Sequence, residues 1–390
     1  MCREKMNNKD FGINTRLVHQ GYDPFDNYGF INPPVFRGST VLFPDAETME
    51  NKNQVYIYGI HGTPTTDVLC RMMSSLEGSA KTLLLPSGLS GITVALCSLL
   101  KAGDHLLMVD TVYSPTRRFS EKMLINFGIE VEYYRAEIGK EIERLFRPNT
   151  KVIFLESPGS NTFEIQDIPG IVSSARKIGA ITMMDNTWAT PLYFRPLEHG
   201  VDISIHAATK YLSGHSDILF GMISVNDKYA SFLDEMYGCF GMTVSSDDAY
   251  LVLRGLRTMG LRLKHQQETA LALARWLETC PEIERVLYPA LESNPGYSVW
   301  KRDFTGASGV FSIVFKRKSK TTTYKFLNNL QLFRLGYSWG GVLSLALYVD
   351  LSDRLFPPVS YSGSVVRFQI GIEDFDDLKS DISCALEAIK

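Results

Sequence analysis

Residues 204–217 read Ser-Ile-His-Ala-Ala-Thr-Lys-Tyr-Leu-Ser-Gly-His-Ser-Asp. A short apolar run ends here, two alanines follow, and Thr209 and Lys210 come next, before the chain turns at Gly214. A lysine at the end of a buried strand is costly to desolvate, and desolvation lowers its pKa. A neutral amine so placed can attack a carbonyl and form a Schiff base. The plain alternative is a solvated surface cation, and the partners elsewhere in the chain decide between the two. His215-Ser216-Asp217 has the residue types of a hydrolase triad, but triad members are not neighbours in a chain.

Those partners are few and complementary. Leu85-Pro-Ser-Gly-Leu-Ser-Gly91 follows another apolar run and opens a helix. Free N–H groups and the positive end of the helix dipole suit a phosphate there, although a simple cap would look the same. No Gly-Lys-Ser/Thr follows, so it is no Walker loop, and it lacks the dinucleotide fingerprint. Asp185 closes the run 181–184 and precedes Asn186, Thr187 and Trp188. A carboxylate in that place keeps a heterocyclic nitrogen protonated, or merely caps a turn. Arg367 alternates with Val366, Phe368, Ile370 and Ile372, which turns it to the polar side of a strand, either solvated or clamping a carboxylate. Tyr113 and Tyr58 can cover a ring or move a proton, and can equally be packing residues. A phosphate cradle, an acid for a ring nitrogen, an aromatic cover and a lysine for an aldehyde are the needs of pyridoxal phosphate.

The elements that must position these groups are legible as periodicity. Apolar runs at 82–85, 105–109, 131–134, 152–155, 181–184, 203–206 and 219–225 alternate with spans long enough for helices, such as 92–100 and 168–178. That alternation predicts an α/β domain with a mainly parallel sheet covered on both faces. Sites in such sheets form at the carboxyl ends of the strands, where Ser87, Gly88, Tyr113, Glu156, Asp185 and Lys210 all fall. Residues 1–60 carry little periodicity and predict an extended arm reaching a neighbouring subunit. The α/β domain is expected over 61–255 and a smaller α+β domain over 256–390. That second part holds a helix at 263–278, strands at 310–315 and 365–372, and a closing helix led in by Asp374, Asp376 and Asp377.

Composition sets outer limits. The 390 residues are 45% hydrophobic and 21% charged, with a net charge of -3. That charge gives no field for nucleic acid or for an anionic membrane. No apolar run reaches the roughly 18 residues of a bilayer span, and residues 1–21 show no secretory h-region. Cys2, Cys70, Cys97, Cys239, Cys280 and Cys384 lie far apart with no Cys-x-x-Cys pair. Reduced thiols in a cytoplasmic protein without a metal site are the expectation.

The motifs together resemble one family, the pyridoxal-phosphate enzymes of cysteine and methionine metabolism, from about Thr15 to Asp374. Residues 208–217 match its cofactor-lysine motif, 185–188 the aspartate motif and 86–88 the phosphate loop. The resemblance implies an aspartate-aminotransferase-like (fold type I) architecture. It implies Lys210 as the Schiff-base residue, Asp185 on the pyridine nitrogen, and Gly88, Leu89 and Thr209 on the phosphate. Tyr113 would stack on the ring, Tyr58 would come from a partner subunit, and Arg367 would bind the substrate α-carboxylate. Tyr337-Ser-Trp-Gly-Gly341 resembles the loop of the β-lyase branch, with Ser338 orienting the lysine and Trp339 that branch's own addition. Glu156-Ser-Pro-Gly-Ser160 has serine where other branches carry asparagine. The implied activity is α,β-elimination of L-cystathionine to homocysteine, pyruvate and ammonia in a cytoplasmic homotetramer. The rivals are a γ-synthase or γ-lyase, and a non-catalytic protein impaired at Ile60. Three positions depart from the pattern: Ile60 replaces an arginine that reaches the neighbour's phosphate, Arg118 an acid, and Leu343 a glutamate.

Overall fold

The seven apolar runs of the first part all form strands. The structure is a computed structural model and describes residues 11–317, 319–356 and 363–390. The strands are β1 (Lys81–Leu85), β2 (His105–Val109), β3 (Glu130–Tyr134), β4 (Thr150–Glu156), β5 (Ile181–Asp185), β6 (Ile203–His206) and β7 (Gly221–Val225). Their order across the sheet is β1-β7-β6-β5-β4-β2-β3. All run one way except β7, which is antiparallel to both neighbours. Continuous burial of β2, β6 and β7 explains why these strands lack an apolar–polar alternation. The carboxyl ends of β2, β4, β5 and β6 therefore open along one edge.

A second sheet follows: β8 (Ile283–Leu287), β9 (Val310–Phe315), β10 (Arg334–Leu335), β11 (Leu345–Val349) and β12 (Val365–Gln369), ordered β10-β11-β12-β9-β8. It is antiparallel apart from the β10–β11 pair. In β12 the side chains of Val366 and Phe368 are buried, while Arg367 sits opposite Ser312 of β9 on the other face. The strand is shorter than the run 365–372, because Gly371 and Ile372 leave the ladder to bond with Ser344 and Val342.

The helix expected at 263–278 begins much earlier, as Ser246–Leu277, a single rod of 32 residues. Ser245 caps it, with Asp247 and Asp248 in the first turn complementing the dipole. The boundary expected at 255/256 therefore falls inside a continuous element that touches both sheets' surroundings. The rod also braces the lysine segment, since Arg262 Nη2 donates to Tyr211 O at 3.0 Å. The arm is not extended throughout. The helix Ile13–His19 packs Leu17 onto that same rod, while Phe25, Tyr28, Phe30, Ile31, Leu42 and Val55 stay exposed. Among the described residues no helix is long and apolar enough to cross a membrane.

Candidate active site

Lys210 lies just past β6 in a tight turn, its N–H bonded to Ala207 O and its own carbonyl taken by Gly214 N–H at 2.7 Å. Gly214 has φ 72, which lets the chain leave this turn. The ammonium donates to Ser338 Oγ at 2.6 Å and lies 5.7 Å from the Trp339 ring centroid. Burial and the nearby Arg367 charge bring the Lys210 amine down to about 8, against a weaker raising pull from Asp185. Desolvation disfavours the charged form. The Ser338 loop rides directly on the lysine: a Cβ at Gly340, whose φ is 87, would stand 2.8 Å from Lys210 C and Tyr211 N. Ser338 itself has φ 75 and accepts Arg367 Nη2 on its carbonyl at 3.1 Å.

Asp185 ends β5 beside Glu156 of β4, the two being register partners on parallel strands. Its Oδ1 accepts the N–H and the hydroxyl of Thr187, at 2.9 and 2.5 Å, and Thr187 Oγ1 in turn accepts Ala207 N–H. Burial raises the Asp185 carboxyl, against the Thr187 hydrogen bonds and the charges of His206 and Lys210. Glu156 goes well above the usual range, through burial first and Asp185 second. The pair accordingly holds one negative charge more comfortably than two. Glu156 Oε2 accepts Tyr113 N–H at 2.8 Å and so fixes the backbone of Tyr113 beside the strand end. The Tyr113 hydroxyl is raised by burial and by the charges of Asp185 and Glu156, against a lowering by Arg367.

Ser87 caps the helix Gly88–Leu99 through a capping box with Ser90, leaving the N–H groups of Gly88 and Leu89 at its open end. A Cβ at Gly88 would stand 2.4 Å from Ala207 Cβ, so this cradle and the lysine turn are in contact. Thr209 Oγ1 donates to Phe220 O and accepts Phe220 N–H, at 3.2 and 2.9 Å, which ties the hydroxyl to backbone. Tyr58 is half exposed, its backbone bridged to Thr40, and no described contact joins it to Lys210 or Asp185. Ile60 and His61 line a separate cleft with Asp67, Arg71, Lys81 and Tyr237. Arg118 and Leu343 are exposed, whereas the neighbouring Arg117 is buried on Asp110 at 2.5 Å.

Several residues that position the site were not singled out in the sequence. Gln369 accepts Gly340 N–H and donates to Gly341 O, fastening the Ser338 loop to β12. Its signal was its place two residues beyond Arg367 on the same strand face. Arg354 reaches Asp110 O and, at 2.8 Å, Ser160 O. Asn161 accepts Arg367 Nη1 at 2.9 Å. It follows immediately on the run 156–160, where a polar loop leaving a buried strand was visible.

A half-buried amine at a strand end, a capped helix start against it, a carboxylate at the neighbouring strand end and a tyrosine anchored beside them are parts that a pyridoxal-phosphate enzyme needs. The chain belongs to the cysteine/methionine metabolism PLP-dependent enzymes, whose family model matches residues 14–387. A Rhizobium johnstonii protein provisionally named cystathionine beta-lyase is 58% identical, over 95% of this chain and 95% of that one. The Escherichia coli cystathionine beta-lyase MetC is 39% identical, over 97% of this chain and 99% of its own. A crystal structure of metB from Corynebacterium glutamicum superposes with a TM-score of 0.91 at 30% identity, covering 98% of this chain and all of that one. The architecture is accordingly that of a fold type I enzyme, and its cofactor is pyridoxal phosphate.

The amine value has a kinetic consequence. Below pH 8, uptake of pyridoxal phosphate by the apoprotein should climb about tenfold per pH unit, then level off as Lys210 becomes neutral. Stopped-flow absorbance reads this directly. A rate still climbing tenfold per unit above pH 9 would mean an ordinary, solvated lysine.

Proposed function

We propose that this protein cleaves the carbon–sulfur bond of L-cystathionine by α,β-elimination, releasing homocysteine, pyruvate and ammonia. The observation that carries the reading is the 2.6 Å bond from Lys210 Nζ to Ser338 Oγ, in a loop that also sets Trp339 beside the amine. The names of the two relatives point the same way.

When bound, pyridoxal phosphate supplies the sink for the electron pair left when a substrate loses its α-proton. The rest falls to this chain. Gly88 and Leu89 would hold the phosphate, with Thr209 joining them only by turning its hydroxyl away from Phe220 O, while Asp185 would hold the ring nitrogen and Tyr113 would cover the ring. Arg367 grips the α-carboxylate through a guanidinium already aimed by Ser338 O. Lys210, steered by Ser338, takes the α-proton and then delivers a proton to the departing sulfur, with the partner subunit's Tyr58 assisting. Trp339 lines the substrate side. Purified, cofactor-loaded protein incubated with L-cystathionine should yield pyruvate and a free thiol in equal amounts. Formation of 2-oxobutyrate instead would assign it to a γ-cleaving branch.

The working unit we propose is a cytoplasmic homotetramer of paired subunits, each built from an arm (1–60), a cofactor domain (61–255) and a C-terminal domain (256–390). The exposed apolar residues of the arm and the unpaired described cysteines support it. Sedimentation equilibrium tests the assembly, and a fully active monomer would end the shared-site idea. At Ile60 the family's charged phosphate contact is absent. Ile60→Arg should tighten pyridoxal phosphate by about ten- to a hundredfold, the worth of one charge-assisted hydrogen bond. Equilibrium titration of the apoprotein checks it, and unchanged affinity would show that another cation already serves.

A further inference from the structure

Asn161 stands where the two sheets meet the cleft. Its carbonyl accepts Ser312 Oγ from β9 at 2.7 Å, and its side-chain Oδ1 accepts Arg367 Nη1 from β12 at 2.9 Å. Ser312 and Arg367 are register partners, so one patch of the second sheet grips one residue of the first sheet's loop. Its φ of 66 is a left-handed value that asparagine tolerates better than most residues.

A guanidinium carries donors only, so the amide must turn its oxygen to Arg367. The NH2 half is thereby left over, and no described residue takes it. Arg367 has spent two of its N–H groups, on Asn161 and on Ser338 O, and no described residue accepts the others. A carboxylate accepts and never donates, which is the complement of these leftover donors.

We infer that Asn161 is a specificity-determining residue for the substrate α-carboxylate, aiming Arg367 with its oxygen and donating to the carboxylate from its NH2. The inference rests on Arg367 being the carboxylate-binding group. It assigns to this loop residue a role that a turn-forming asparagine lacks.

The test compares glycine with methylamine, the same amine without a carboxylate, by equilibrium titration of the cofactor-loaded protein followed through the coenzyme absorbance. Asn161→Gly keeps the left-handed backbone and removes the amide. It should weaken glycine by about three- to tenfold, one or two hydrogen bonds, and leave methylamine within about twofold. Asn161→Asp keeps the acceptor but replaces the donor by a negative charge, so glycine should weaken by more than about tenfold. Equal weakening of both amines would reduce Asn161 to a structural role and overturn the inference. So would glycine affinity unchanged in both variants while Arg367→Ala has lost it. If Arg367→Ala also binds glycine like the parent, the carboxylate reading of Arg367 itself falls.

Discussion

Lys210→Ala is expected to lower turnover by about four orders of magnitude, the upper end of what a positioned acid–base group contributes. The variant should fold normally, because the ammonium's described side-chain hydrogen bond is the one to Ser338, whose carbonyl still accepts Arg367. Borohydride reduction of the loaded parent followed by digestion should place the coenzyme adduct on Lys210. The variant should give no adduct. Residual turnover within a hundredfold of the parent, or an adduct on another lysine, would dislodge Lys210 from the centre of the chemistry.

Asp185→Asn carries the second large effect. Its carboxylate closes β5, and Glu156 beside it on β4 is driven toward its uncharged form. An amide keeps the Thr187 contacts in shape but offers no charge to hold a ring nitrogen protonated. Removing one preorganised electrostatic partner costs about 10²–10³ in turnover, and the loss should appear in kcat rather than in KM. Steady-state kinetics on cystathionine, with the coenzyme absorbance titrated alongside, reads both. A variant that loses only KM would make Asp185 a binding residue and leave the ring nitrogen to another group.

Much of this site was legible because it is built from strand ends. Buried parallel strands are apolar throughout, so 105–109 and 203–206 stand out in sequence, and the polar residue that terminates each run is necessarily at the sheet's edge. That logic reached Asp185, Lys210 and Tyr113. It could not reach Arg354 or Asn161, whose meanings come from partners 244 and 206 positions away. Nor could it reveal that β7 runs against its neighbours, since a fully buried strand reads the same in either direction. The start of the long helix was hidden for a different reason. Residues 246–262 include Gly255 and Gly260, poor helix formers whose places are set by close approach to Ser213 O and Asn14 rather than by propensity. The tether of Thr209 to Phe220 was equally invisible, because backbone pairing of a hydroxyl leaves no pattern in sequence.

The rod Ser246–Leu277 is rooted among elements of both halves. A strut that crosses a seam leaves no free joint at that seam. Admission of a ligand must therefore be accommodated by the short segments around Asn161 and Ser338, which Arg367 joins by a hydrogen bond to each. Slowed hydrogen exchange on ligand addition should be concentrated in those two segments, with the amides in the middle of the strut unaffected.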